Sequence, residues 1–207
     1  MTKTNTDFEL AVVLDFEATC DKKAQPRPQE IIELPSVLVD LRTREPVAEF
    51  SSFVRPTHHP RLSRFCQKLT SITQADVDGA DVFAVVFARH QDWLAQHGAD
   101  ESSALIVTCG DWDLATMLPA QCRASDPPIE RVPPIYTRWL NIKRLFSEVR
   151  GVDKAPGMAG MLRTLGLPLV GHHHRGIDDC RNIAALLRAL LAAGGAVAPT
   201  GQLTPDA

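Results

Sequence analysis

Three short stretches of this chain place acids and a histidine where a phosphodiester could be hydrolysed. The first is Asp15-x-Glu17, directly after an apolar run at 8–14 (FELAVVL) that reads as a strand. Residues i and i+2 of a strand share a face, so both carboxylates leave the strand end in the same direction. Two such anions repel unless a cation sits between them. Magnesium favours oxygen ligands of this kind and keeps positions open for water and phosphate. The second stretch is Cys109-Gly-Asp-Trp-Asp113, which also follows an apolar strand and opens a helix. Gly110 permits a sharp turn, and an acid is well placed in a first helical turn. The third runs from Gly171 to Asp179 (GHHHRGIDD), with His174 and Asp179 five apart across Gly176. A histidine titrates near neutrality and can take a proton from water.

Each stretch has a bland counterpart. Asp15 and Glu17 could be a solvated strand end. Asp111 could cap a helix while Asp113 serves its dipole. The histidines could form a solvated loop or a transition-metal site, the latter less favoured because no cysteine is near. Taken together, two strand ends and one helix start each deliver acids, with a histidine beside the last. That is the arrangement needed for two metal ions about 4 Å apart that clamp a phosphodiester and activate water.

The elements that must position these groups follow from the apolar pattern. Strands are expected at 8–14, 30–40, 47–54 and 104–108, with Pro35 marking an edge or bulge. Short links favour an antiparallel arrangement of the first three. Helices are expected at about 81–97 with Asp81 as N-cap, at 111–122, 136–149 and 157–165, and from near Gly176 onward. Strands followed by helices alternating with further strands make an α/β fold, a mixed sheet flanked by helices with parallel parts. Residues 1–7 are expected to be flexible, 8–193 to form one domain, and 194–207 to be a loose tail.

Composition narrows the setting. With 207 residues, 44% of them hydrophobic, one domain with a sizeable core is expected. No apolar run is long enough for a transmembrane helix, and the polar start is unlike a signal peptide. Five cysteines without a C-x-x-C spacing argue against a disulfide framework and for a reduced, intracellular, cytoplasmic setting. The net charge of −3 gives no general attraction to nucleic acid. The stretch 55–68 (RPTHHPRLSRFCQK) is nevertheless basic and lacks acids, so a single-stranded backbone could track along it. Its alternative is a solvated loop.

The motifs resemble those of DEDDh 3′→5′ exonucleases. They are Asp15-Phe-Glu-Ala-Thr-Cys, Cys109-Gly-Asp-Trp-Asp and His174-Arg-Gly-Ile-Asp-Asp-Cys-Arg-Asn-Ile-Ala. The DFEATC and GDWD forms are similar to the enhanced-RNAi branch, which includes histone-mRNA 3′-end exonucleases. Glu30-Ile-Ile-Glu-Leu-Pro, Phe53-Val-Arg-Pro and Leu69-Thr-Ser-Ile-Thr match it as well, with Ser71 where the branch often has glycine. The resemblance implies a ribonuclease-H-like fold and hydrolysis that releases 5′-mononucleotides from RNA or single-stranded DNA 3′ ends. It implies two Mg2+ ions, with Mn2+ a workable substitute, held by Asp15, Glu17, Asp113 and Asp179, and His174 as general base. Glu17, Ala18, Thr19 and His174 would meet the terminal nucleotide. Leu69 and Ile72 would touch its base, unless they are plain core. Trp112 would stack on a base or be buried. Members of the branch with a further nucleic-acid-binding domain are longer, so duplex or stem-loop specificity is not expected here. Three alternatives remain at this point: an idle binding module of the same fold, a dinucleotide scavenger like oligoribonuclease, and a polymerase proofreading subunit.

Overall fold

Alternation along β1 (Leu10–Leu14) sets up the fold: Ala11 and Val13 pack into one apolar layer, Val12 and Leu14 into another. A strand whose successive side chains are all buried needs cover on both faces. The computed structural model, which describes residues 8–203, supplies it. The expectation for 1–7 lies outside those residues.

β1 leads to the short β2 (Glu17–Ala18), then β3 (Ile31–Asp40) and β4 (Glu45–Phe53). Two short helices follow, α1 (Arg64–Thr70) and α2 (Gln74–Asp78), then α3 (Phe83–Gln96) and β5 (Ala104–Thr108). A π-helical turn (Asp113–Met117) runs into α4 (Leu118–Ala124), and a 3-10 turn (Pro134–Thr137) into β6 (Arg138–Asn141). The chain ends with α5 (Ile142–Arg150), α6 (Met158–Thr164), α7 (Gly176–Ala192) and β7 (Gly201–Gln202). One seven-stranded sheet results. β3 pairs antiparallel with β4, β1 and β2, whereas β1, β5 and β6 run parallel and β7 closes antiparallel on β6. The expected mixed sheet with antiparallel leading strands is therefore present.

Helices α5, α6 and α7 cover one face, where Val37, Leu105, Ile183 and Leu187 meet. Helices α3 and α4 cover the other, where Leu38, Ile106, Phe87 and Leu118 meet. At about 1.5–3 kcal/mol per fully buried large aliphatic or aromatic side chain, these two layers are the main stabilising term.

Several expectations need correction. Pro35 sits in an inner strand, not at an edge or a bulge. It falls between the segment of β3 that pairs with β1 (from Ser36 onward) and the segment that pairs with β2 (Ile31 and Glu33), where a missing N–H is tolerated. Asp81 does not cap α3. Val82 occupies that position without a side-chain cap, while the Asp81 carbonyl accepts from Arg55 N at 2.9 Å and its carboxylate pairs with Arg89 at 2.9 Å. The segment 136–149 is not one helix: Trp139 and Leu140 are buried on opposite faces of the sheet, the mark of a strand, and Asn141 then caps α5. Nor is the tail loose over its described part. Val197 is buried, Thr200 N donates to Trp139 O at 2.8 Å, and Leu203 N donates to Thr137 O at 2.8 Å.

Candidate active site

Asp15 follows β1, Glu17 starts β2, Asp113 opens the turn after β5, and Asp179 lies in the first turn of α7. Parallel pairing of β1 with β5 brings the first three to one sheet end. Gly176 brings the fourth: a Cβ there would lie 2.7 Å from Pro35 Cγ and 2.9 Å from Asp15 O, so only glycine lets α7 abut the strands.

Oxygen atoms of Asp15, Glu17 and Asp179 lie within 4.8 Å of one another. Asp113 stands beside this group rather than in it. Its Oδ1 accepts from Phe16 N at 2.9 Å, and its charge acts on Asp15. Asp111 is engaged elsewhere, accepting from Trp139 Nε1 at 2.8 Å and pairing with Arg144 at 3.2 Å. Asp179 Oδ2 accepts from His174 N at 2.8 Å, while its Oδ1 is buried without a partner. A buried carboxylate oxygen left unpartnered costs on the order of 1–3 kcal/mol unless a cation or water completes it.

Burial and mutual repulsion raise the proton affinity of the whole group. Asp15 is pushed well up by burial, then by Asp113, Asp179 and Glu33, with Lys143 opposing. Glu17 is pushed up to about 10 by burial and then by Asp15 and Asp179. Burial pushes Asp113 and Asp179 each up to about 6. Burial, with His173 and His172 adding, holds the exposed His174 imidazole below its usual range.

A carboxyl whose folded pKa is raised holds its proton more tightly folded than unfolded. Its contribution to stability is therefore lost as pH rises from the unfolded value toward the folded one. For Asp113 and Asp179 that window runs from 3.8 to about 6, and for Glu17 from 4.5 to about 10. A divalent cation reverses the penalty, and more so as the acids ionise. Saturating Mg2+ is expected to raise the melting temperature by about 5–10 °C at pH 8, taking ~2.7 kcal/mol at a hundredfold excess over Kd and ~2–4 °C per kcal/mol. The rise should be smaller at pH 6. Comparing increments with and without metal cancels the opposite trend of His90, which burial holds down at about 3. Equal increments at both pH values would contradict the electrostatic reading.

The positions expected to meet substrate divide. Trp112, 40% exposed, is on the surface beside Asp113, so the buried alternative does not hold. Leu69 is half-buried on α1, which docks on the β2 turn through Cys66 Sγ to Ala18 O (3.7 Å) and Ser63 Oγ to Cys20 O (2.7 Å). Ile72 is fully buried with Ile32, Leu62, Cys66 and Val77 and offers nothing to a base, so its expected contact is replaced by core packing. Ala18 and Thr19 are buried, and Thr19 Oγ1 accepts from Glu30 N at 3.0 Å. The basic stretch 55–68 is partly helical. Its start is clamped by Glu30, which accepts from the backbone N–H groups of Thr57, His58 and His59. Arg55, Arg61, Arg64 and Lys68 form no ion pair among the described residues.

Sequence reasoning missed four neighbours. Glu33, fully buried, lies 3.3 Å from Arg175 Nε and accepts from Gly176 N at 3.1 Å, tying the His174 loop to β3. Arg175 also lies over the Phe53 ring at 4.6 Å. Lys143 acts on Asp15 and Asp113; a cation in the first turn of α5, against the helix dipole, was its available sign. His173 stacks on His174, ring centroids 4.0 Å apart. A hollow of about 650 Å³ lined by Glu30, Arg55, His58 and Gln121 contains none of the four acids, whereas a cleft of about 320 Å³ beside Thr19 is lined by Cys20, His59 and Arg61.

The sheet end carries four acids, with a histidine on the loop before the last, and the exonuclease (RNase T) family profile matches residues 12–187. The chain belongs to that family. It is 42% identical over 185 residues to ERI1 exoribonuclease 3 of Homo sapiens, covering 88% of this chain and 54% of that protein. The chain thus spans about half the length of the curated relatives it matches. The solved nuclease domain of 3′hExo, a DEDDh family member bound to rAMP, superposes with a TM-score of 0.88 at 33% identity, over 94% of this chain and 98% of that one. A 3′-exonuclease solved in 3′-end-specific recognition of a histone mRNA stem-loop gives a TM-score of 0.90 at 30% identity, over 99% of this chain and 72% of that one.

Proposed function

We propose that the chain is a 3′→5′ exoribonuclease that removes 5′-mononucleotides from single-stranded RNA ends with the help of two divalent ions, Mg2+ with Mn2+ as a workable substitute. The convergence of one oxygen each from Asp15, Glu17 and Asp179 within 4.8 Å, beside an Asp179 Oδ1 that is buried and unpartnered, carries this reading. The donors suit a hard cation, being carboxylate oxygens with raised proton affinity. Asp15, Glu17 and Asp179 would hold one ion, and chiefly Asp15 the other, with Asp113 close by. Bound there, such ions supply charge neutralisation at the phosphodiester and a more acidic water.

The chain's own groups do the rest. His174, exposed on its loop, takes a proton from the attacking water. Glu33 and Arg175 hold that loop against β3. Trp112 offers a ring for a base to stack on; Phe65 and Leu69, four apart on α1, offer an apolar face. Arg61 in the cleft beside Thr19, with Arg64 and Lys68, supplies charge for the phosphate backbone. The preference for RNA is supported by relatives named exoribonucleases. Retention of all four acids and the histidine disfavours an idle binding module. Cytoplasmic residence is part of the proposal, supported by five free cysteines.

Matched 5′-labelled single strands of RNA and DNA, digested side by side in Mg2+, test the substrate class. RNA is expected to be consumed faster. Faster loss of DNA would overturn the ribonuclease assignment, and loss of neither would favour the binding module.

A further inference from the structure

We propose that His173, His174 and Asp179 form a second metal site, selective for a borderline transition ion such as Zn2+, whose occupation shuts the enzyme off. One ligand atom from each of the three lies within 4.8 Å of the others. The loop holds the three side chains close together. His174 takes a left-handed conformation at φ 71°, its N–H donates to Asp179 Oδ2, and His172 N donates to Asp178 Oδ2 at 2.9 Å. The two imidazoles are stacked, 11° apart in plane, so their in-plane lone pairs meet on one ion only after the rings turn out of the stack. Asp179, only 4% exposed, keeps Oδ1 without a partner.

Two imidazoles and one carboxylate are the three-ligand set of an open zinc site. Donors around a tetrahedral zinc ion are roughly 3.4 Å apart, from Zn–N distances of ~2.0–2.1 Å. Rotation of the exposed His174 and half-buried His173 side chains closes the remaining gap. Magnesium gains little from imidazole, so the site separates the two ions by chemistry. The carboxylate group Asp15, Glu17 and Asp179 draws the hard ion, and the histidine group draws the softer one. Asp179 belongs to both groups. A zinc ion held by His173 would therefore occupy the lone pair with which His174 accepts its proton and compete for an oxygen of Asp179. The inhibitory consequence rests on the exonuclease reading; the binding does not.

Zinc affinity of the chelator-stripped protein, measured by competition with a chromophoric zinc indicator, tests the site. The wild type, His173→Ala and His172→Ala are compared. His173→Ala is expected to weaken binding by at least about 10-fold, as even outer ligand partners do, and His172→Ala by less than about 2-fold. RNA digestion in Mg2+, read as the ratio of rates with and without zinc, should require correspondingly more zinc for His173→Ala. Equal zinc affinity in wild type and His173→Ala, or no zinc binding, overturns the site. His173-dependent binding in a protein that digests no RNA would uphold the site and reject the exonuclease reading.

Discussion

Asp15→Asn is expected to lower the rate of RNA cleavage by well over about 100-fold, since a 1 Å displacement of reacting groups alone can cost ~10²-fold. Asp15 is the acid on which the others converge: Asp113, Asp179 and Glu33 all act on it. Asparagine keeps the shape and removes the charge, so the reacting phosphodiester loses its clamp rather than merely loosening it. The same change should leave the metal-free protein as stable as wild type or more so. It relieves repulsion among buried carboxylates whose crowding serves function at the expense of stability. Single-turnover cleavage and thermal unfolding in EDTA separate the two effects. Lost activity with a lowered metal-free melting temperature would mean that Asp15 is structural; near-normal activity would remove it from the site.

His174→Ala is expected to slow cleavage by about 10²–10⁴-fold, the range for a lost general base. Metal binding should survive, because the imidazole lies outside the Asp15, Glu17 and Asp179 group and the backbone N–H that meets Asp179 remains. Alanine at φ 71° costs roughly 1–2 kcal/mol. His174→Asn, better suited to that conformation, is therefore the companion variant. Both should keep the Mg2+-induced rise in melting temperature while losing activity. A fully active His174→Asn protein would end the base assignment.

The site's acids were legible because each stands at a place that local pattern marks: a strand end at Asp15, a glycine turn before Asp113, a helix start at Asp179. Choosing Asp113 over Asp111 needed the family resemblance; in the structure Asp111 is committed to Trp139 and Arg144, while Asp113 stands beside the group of Asp15, Glu17 and Asp179. Short elements were less legible. The four residues of β6 read as the start of a helix, because periodicity cannot separate so short a strand from helical spacing. The helix α1 hid inside a run notable only for its charge, although Ser63 caps it by accepting from Cys66 N at 3.0 Å. Partnerships distant in sequence left no local trace. Glu33 meets Gly176 across 143 positions, and the two-residue strand β7 pairs with β6 through Arg138 and Gln202, far apart along the chain. Leu69 and Ile72 show the limit for side chains: they sit three apart, yet one is half-buried and the other closed off in the core.

The most direct test of the central claim is the product ladder of a 5′-labelled single-stranded RNA incubated with the protein in Mg2+ and in EDTA. The account predicts a ladder that shortens stepwise from the 3′ end in Mg2+ and no cleavage in EDTA. Cleavage that persists in EDTA, internal cuts, or shortening from the 5′ end would contradict it.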